Sequence, residues 1–335
     1  MNIIIPMAGR GTRLRPHTLT VPKPLIPVAG KPIIQRLVED LIAAYSGKVD
    51  EIAFVVGELG VEVERELVAI AERLGARGRI YHQEKALGVG HAIYCAWESL
   101  AGPCLIAFAD TLFKADFQFD PSEDGVIWVQ RVPDPSAFGV VQLDPTGYIT
   151  EFVEKPTTFV SDLAIVGIYY FREGEKLRSA LHRIINDDLK EKNEFQITTA
   201  LELLKNEGIR FRTAEIEEWL DCGNKDAILY SNERMLEFHR QDNLVDSTAV
   251  IENSIIIEPC FLGGYALVRN SVIGPYVSVG HNSKVENTVI TNSIIQNDSY
   301  IKNALLDHSM IGNSSVFLGA KDELNLGDFS NFSKG

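Results

Sequence analysis

Several residues sit where their types and spacing could do chemistry. The stretch Ala8-Gly9-Arg10-Gly11-Thr12-Arg13-Leu14 follows a short aliphatic run, Ile3-Ile4-Ile5. Glycines directly after a first strand let backbone amides approach a polyphosphate closely. No Gly-Lys-Ser/Thr follows, so this is not a Walker loop, and the third glycine of a dinucleotide fingerprint is missing. Arg13 and Lys23 place cations beside the loop, to serve an anion or as solvated loop charges. Asp110 closes the apolar run Leu105-Ile106-Ala107-Phe108-Ala109. That is the carboxyl end of an expected parallel strand, where open α/β sheets bind ligands and where an Asp also caps helices. Asp221, in Trp219-Leu220-Asp221-Cys222-Gly223, follows a strand expected over 210–215. It reads as a second acidic site residue or as a turn residue. Glu154-Lys155 reads as an ionic site pair or as alternating strand-end charges. The seven histidines form no evident triad or metal pair.

Up to about Arg240, short apolar runs alternate with helical patterns. Ile3–Ile5, Ile52–Val56 and Leu105–Ala109 read as buried strands. Pro32 opens a helix with Ile33, Ile34, Leu37, Val38, Leu41 and Ile42 on one stripe, and a second helical pattern runs through Leu67, Ile70 and Leu74. This βαβα order predicts a mostly parallel sheet covered on both faces.

After Asp246 the texture changes. Asn253-Ser254-Ile255-Ile256 recurs as Asn270-Ser271-Val272-Ile273, Asn287-Thr288-Val289-Ile290 and Asn303-Ala304-Leu305-Leu306, in steps of 17, 17 and 16 residues. Within each step an aliphatic or aromatic residue returns every five or six positions: Val250, Ile256, Leu262, Val268, Ile273, Val279, Val285, Ile290, Ile295, Ile301, Leu306, Ile311 and Phe317. One period divided in three describes a coil with three flat sides, one residue of each pointing inward and Asn or Gly turning the corners. That predicts a parallel β-helix of hexapeptide type, left-handed, over 246–320. Residues 321–335 read as a tail, and 1–240 as the catalytic part.

The chain has 335 residues, 45% of them hydrophobic and 23% charged, enough for about two packed domains. Thirty-two Lys and Arg against 46 Asp and Glu give a formal net charge of −14, which disfavours a nucleic-acid partner. A cleft that concentrates a few cations can still hold a small anion. The four cysteines, 95, 104, 222 and 260, lack disulfide or metal spacing. With no membrane-length apolar run and no signal-type leader, a cytoplasmic location without a membrane partner is expected.

The run from Ala8 to Thr18, continued by Pro22-Lys23-Pro24-Leu25-Ile26-Pro27-Val28-Ala29-Gly30-Lys31-Pro32-Ile33, resembles the signature of the sugar-1-phosphate nucleotidylyltransferases. The resemblance continues at intervals to about residue 240. It implies a Rossmann-like domain with an inserted sugar-binding part. The implied reaction joins a nucleoside triphosphate to a sugar 1-phosphate and releases pyrophosphate. By this resemblance Met7, Ala8, Gly9, Gly11 and Thr12 line the nucleotide. Arg13 and Lys23 stabilise the triphosphate, and Asp110 and Asp221 hold Mg²⁺. Lys155 holds the phosphate of the sugar. The nucleophile is already an anion, so no general base is assigned, and catalysis is expected from positioning and charge stabilisation.

His82-Gln83-Glu84-Lys85-Ala86-Leu87-Gly88-Val89-Gly90-His91-Ala92 is similar to the family's base-reading loop. Gln83 offers one acceptor and two donors, which can match the imide edge of uracil or thymine, whereas a guanine reader would favour a carboxylate. Gly88 would leave room for backbone contact with the base. Val132–Val141 looks like the sugar loop, with Gly139 offering backbone. Glu154 would accept from sugar hydroxyls, and Ala164–Phe171 resembles the strand bordering the sugar. Ala8, Val166 and Thr199 stand where many members have Gly, Thr and Asp.

The expectation is therefore an Mg²⁺-dependent transfer from dTTP or UTP to glucose 1-phosphate. The alternatives are a mannose-1-phosphate guanylyltransferase, an N-acetylglucosamine-1-phosphate uridylyltransferase, bifunctional if the β-helix also transfers an acyl group, and a non-catalytic sensor. His281 and His308 are available for a second activity, but four coils is short for one. The β-helix is expected to serve homo-oligomerisation or regulation.

Overall fold

The structure, a computed structural model, describes residues 1–9, 11–45, 47–114 and 119–320. The expected tail, 321–335, lies outside the described residues. The chain forms two compact units. Residues 1–26 and 31–228 make the first; residues 27–30 and the chain from Leu229 onward make the second.

The first unit opens with β1 (Asn2–Pro6), α1 (Ile33–Ala44), β2 (Glu51–Val56), α2 (Val61–Arg73), β3 (Arg77–His82), α3 (Val89–Cys95) and β4 (Cys104–Ala107). β1 lies between β2 and β4, parallel to both, and β2 pairs in parallel with β3. The spatial order β4-β1-β2-β3 reverses direction beside β1. This is a topological switch point, and it opens a crevice beyond the carboxyl ends of β1 and β4. Ile3, Ile4 and Ile5, the middle of β2 and all of β4 are buried, as continuous apolar runs require in a sheet covered on both faces. α1 buries Ile33, Ile34, Leu37, Val38 and Leu41 on its predicted stripe.

β5 (Thr111–Lys114), β6 (Gly125–Arg131), β7 (Gly139–Leu143), β8 (Ile149–Glu154) and β9 (Leu163–Phe171) follow. β9 is buried along its length and runs antiparallel to β4, β6 and β7. It joins the β7–β8 hairpin to the parallel strands, so the sheet is mixed, with nine strands. After α4 (Gly174–Asn186) and α5 (Ile197–Asn206), β10 (Phe211–Glu215) pairs in parallel with β6. β11 (Glu218–Asp221) then forms a separate antiparallel ribbon with β5. The chain passes into the second unit within α6 (Lys225–Phe238).

The second unit is a parallel β-helix. Three sheets of five, four and four short strands form its sides, and successive coils pair in register. Leu262, Val268, Ile273, Val279, Val285, Ile290, Ile295 and Ile301 fill the interior. Asn253, Asn270, Asn287 and Asn303 all adopt positive φ, which Asn tolerates better than most residues. Their amides hydrogen-bond from one coil to the next at 2.7–3.3 Å. One residue of the expected inward series is corrected. Val250 pairs with Leu267, while Ile251 stands in register with Val268, so Ile251 occupies the inward column. The outermost coil has no preceding repeat, and both Val250 and Ile251 are aliphatic.

Pro27–Gly30 belongs with this second unit. The Ala29 amide donates to Asn232 Oδ1 at 2.9 Å. Asn232, buried, also accepts from Ser278 Oγ and donates to the Tyr276 carbonyl. Gly30, at φ +85°, lies flat against Phe261, where a Cβ would come within 2.3 Å of the ring.

Candidate active site

The site lies at the switch point. Beyond β1, Gly11 takes φ +57° and accepts from Thr18 Oγ1 at 2.8 Å. A Cβ on Gly11 would lie 3.0 Å from Lys23 Cβ, so the turn is folded against the lysine. Gly9 is exposed, and among the described residues beyond its chain neighbours no atom lies within 4 Å of where a Cβ would be, which leaves its backbone open to a ligand. Met7 is different: its amide already donates to the Val55 carbonyl and its side chain is buried.

Lys23 and Asp110 form an ion pair at 2.6 Å. The β5–β11 ribbon then brings the second carboxylate across. Asp221 stands opposite Thr111, and the Cys222 amide donates to the Asp110 carbonyl at 2.9 Å. Burial and the neighbouring Asp110 carboxylate push the Asp221 carboxyl above the ordinary range, against the pull of Lys23, Arg13 and a hydrogen bond from the Gly223 backbone. Two carboxylates and two cations, Arg13 and Lys23, thus act on one another at the mouth of the sheet.

The Asp110 turn is held from behind. Thr111 Oγ1 donates to the Val166 carbonyl at 3.2 Å, and the Phe108 amide donates to the Gly167 carbonyl. Gly167 has φ +96° and packs under the Phe108 ring. Val166 is 1% exposed, so its side chain is core and it borders the site through its backbone.

Glu154 and Lys155 follow at the end of β8. Glu154 is opposite Gly139 and accepts from Thr198 Oγ1 at 3.2 Å. Lys155 has φ +45°, a conformation that L residues occupy at some cost. Three contacts surround that turn: the Lys155 amide donates to Phe138 O, Lys192 Nζ donates to Lys155 O at 3.0 Å, and Lys155 Nζ lies 3.7 Å from Glu154. Phe138, in the loop before β7, meets Trp219 edge-on at 4.8 Å, linking that loop to the ribbon that carries Asp221.

The loop after β3 presents Gln83, 8% exposed. Gly88 there has φ +106°, and a Cβ would lie 2.6 Å from the Phe195 carbonyl oxygen. Phe195 also exchanges hydrogen bonds with this loop, through Leu87 O and the Gly90 amide. The glycine is therefore required first by packing against Phe195. Lys192, Thr198 and His91 were not singled out as site residues in the sequence. The contacts of Lys192 and Thr198 come from long-range packing, which no local spacing announces. His91 meets Gln83 within the same stretch, and its place in the His82–Ala92 loop was the signal that could have found it.

A family model described as Nucleotidyl transferase matches residues 2–237. The chain belongs to the nucleotidyl transferase family. A second model, GlmU-like C-terminal hexapeptide, matches residues 238–335, in keeping with a left-handed β-helix. The glucose-1-phosphate thymidylyltransferase of Streptomyces griseus is 30% identical, over 98% of each chain. The mannose-1-phosphate guanylyltransferase catalytic subunit beta of Danio rerio is 29% identical, over 94% of this chain and 98% of the relative. The bifunctional protein GlmU of Methanococcus vannielii is 28% identical, over 91% of this chain and 78% of its own. A solved Bacillus anthracis structure in complex with sucrose shares the fold, with a TM-score of 0.58 at 24% identity, covering 69% of this chain and 93% of that one. Within the nucleotidyl transferase family, this chain is a sugar-1-phosphate nucleotidyltransferase. No described helix is long and apolar enough to cross a membrane.

Proposed function

We propose that the enzyme transfers a nucleotidyl group from dTTP or UTP to a hexose 1-phosphate, glucose 1-phosphate being the favoured acceptor. A phosphate oxygen of the sugar attacks the α-phosphorus, the bond to the β-phosphate oxygen breaks, and pyrophosphate leaves. The nucleophile is an anion from the start, so no side chain need remove a proton. The open backbone at Gly9 and the turn at Gly11 seat the triphosphate. Arg13 and Lys23 offset charge on the departing pyrophosphate, and Lys155 offsets charge on the incoming phosphate.

Asp110 and Asp221 fit a divalent ion. Both are oxygen donors, and the half-buried Asp221 is held in a state that a cation would relieve. Mg²⁺ takes few protein carboxylates and completes its shell with water and phosphate oxygens. Bound there, Mg²⁺ would supply charge neutralisation to the phosphates.

The observation that carries the base assignment is Gln83. Its amide nitrogen is engaged by two neighbours, and its Oε1 has no hydrogen-bond partner among the described residues. A free acceptor suits the N3–H of uracil or thymine. The Streptomyces relatives named for glucose 1-phosphate support the sugar. The test is pyrophosphate release across four nucleotides and a panel of hexose 1-phosphates. Turnover is expected with dTTP or UTP and glucose 1-phosphate; turnover with GTP and mannose 1-phosphate alone overturns this assignment.

We also propose that the β-helix mediates self-association. Ile255, Val272, Val289 and Leu305 stand in register as an outward aliphatic column on one side, with Leu305 82% exposed. Such a column suits an apolar interface. Sedimentation should give an oligomer, and a monomer at micromolar concentration overturns this role.

A further inference from the structure

Gln83 Nε2 donates to Gly88 O at 3.0 Å and lies 3.1 Å from His91 Nδ1. An amide nitrogen carries two hydrogens and no acceptor. A carbonyl can only accept, so the nitrogen, not Oε1, must face Gly88. The same nitrogen faces His91, so Nδ1 there must be the unprotonated, accepting nitrogen, and the ring proton must sit on Nε2. Burial lowers the His91 pKa, which keeps the ring neutral. Cys95 Sγ approaches the same Nδ1 at 3.8 Å, a weak contact that leaves the amide the better donor.

We propose that His91 is a positioning residue for base selection: with Gly88 O it takes both N–H groups of Gln83, so that Oε1 alone is presented to the base. This rests on Gln83 being the base reader. A locked acceptor welcomes the imide N3–H of uracil or thymine. Cytosine, equal in size, places an acceptor lone pair at N3 and meets Oε1 with repulsion. A freely rotating Gln83 would turn and donate to cytosine N3 instead. In the native loop that rotation would set Oε1 against both Gly88 O and His91 Nδ1. The lock therefore acts by excluding the wrong pyrimidine, which is where buried hydrogen-bond matching discriminates most.

The test compares kcat/KM for UTP and CTP in the full-length enzyme, with Mg²⁺ and glucose 1-phosphate. His91→Phe keeps a ring but removes the acceptor, and should lower the UTP/CTP ratio by about tenfold or more, through the nucleotide KM. His91→Asn returns an acceptor near the Nδ1 position and should retain the ratio within about threefold. Gln83→Ala is the control for the underlying reading. If Gln83→Ala leaves the ratio unchanged, Gln83 does not read the base and both readings fall. If Gln83→Ala collapses the ratio while His91→Phe preserves it, only the role of His91 is overturned. Nitrogen-15 shifts of His91 in the wild-type protein give a readout independent of any variant. The Nε2–H tautomer is expected, and a protonated Nδ1 at neutral pH overturns the lock.

Discussion

Asp221→Asn should reduce turnover by at least about a thousandfold while leaving the fold intact, and Asp110→Asn should do the same. Asp221 is at the end of the β5–β11 ribbon, and its burial and the neighbouring Asp110 raise its pKa. A carboxyl raised above its unfolded value favours the fold while protonated. Its contribution is fully present below the unfolded pKa and is lost as pH rises through the folded one. At neutral pH and without metal, the wild-type carboxylate therefore works against stability. Replacing it by Asn removes that penalty, so the variant should melt at the same temperature as the wild type or slightly higher. The wild type should also gain thermal stability from added Mg²⁺, as a ligand of the native state must confer, and neither variant should. Calorimetry with and without Mg²⁺, beside a pyrophosphate assay, checks both halves. Wild-type turnover in either variant sinks the metal assignment. A large drop in melting temperature would instead make these residues structural.

Lys155→Ala should act on the other substrate. Removing a charged hydrogen bond to a phosphate costs about 1.5–3 kcal/mol, roughly 10- to 150-fold. That loss should appear in KM for the sugar phosphate and in kcat, with KM for the nucleotide nearly unchanged. Lys192→Ala should show a smaller effect of the same kind, because Lys192 reaches the Lys155 carbonyl and steadies its left-handed turn. Steady-state kinetics with each substrate varied in turn separates these outcomes. An equal rise in both KM values for Lys155→Ala would count against a sugar-phosphate role.

Much of this architecture could be read in advance, for physical reasons that differ by region. The β-helix announces itself because each coil repeats the demands of the last: one inward aliphatic per side and an Asn at the corner. The sequence is ambiguous where that repetition stops, at Val250 and Ile251. The parallel strands were legible because burial on both faces leaves uninterrupted apolar runs. Asp110 could be placed at a strand end from its own neighbours. Its proximity to Asp221 could not be derived that way, since it depends on a two-strand ribbon whose partners are far apart in the chain. Gly88 illustrates a reason that only packing reveals. The Phe195 backbone occupies the space that a side chain there would need. Lys192 was invisible for the same cause, because it acts on a carbonyl brought to it by another loop. His91 lies in the same loop as Gln83, but only the fold turns its Nδ1 toward that amide.

The four residues Pro27–Gly30 interrupt the first unit and belong with the second. Modular inheritance is therefore not a matter of one crossover near Arg240. A gene truncated there would still encode Asn232, but Asn232 would lose Tyr276 and Ser278, and Gly30 would lose Phe261. The tetrapeptide just downstream of Lys23 has to match the coils encoded some two hundred codons later. Recombination that exchanges the repeats without exchanging this short insert yields mismatched halves. The two parts of the protein are thus obliged to evolve as a pair, although most of each could be drawn as an independent cassette.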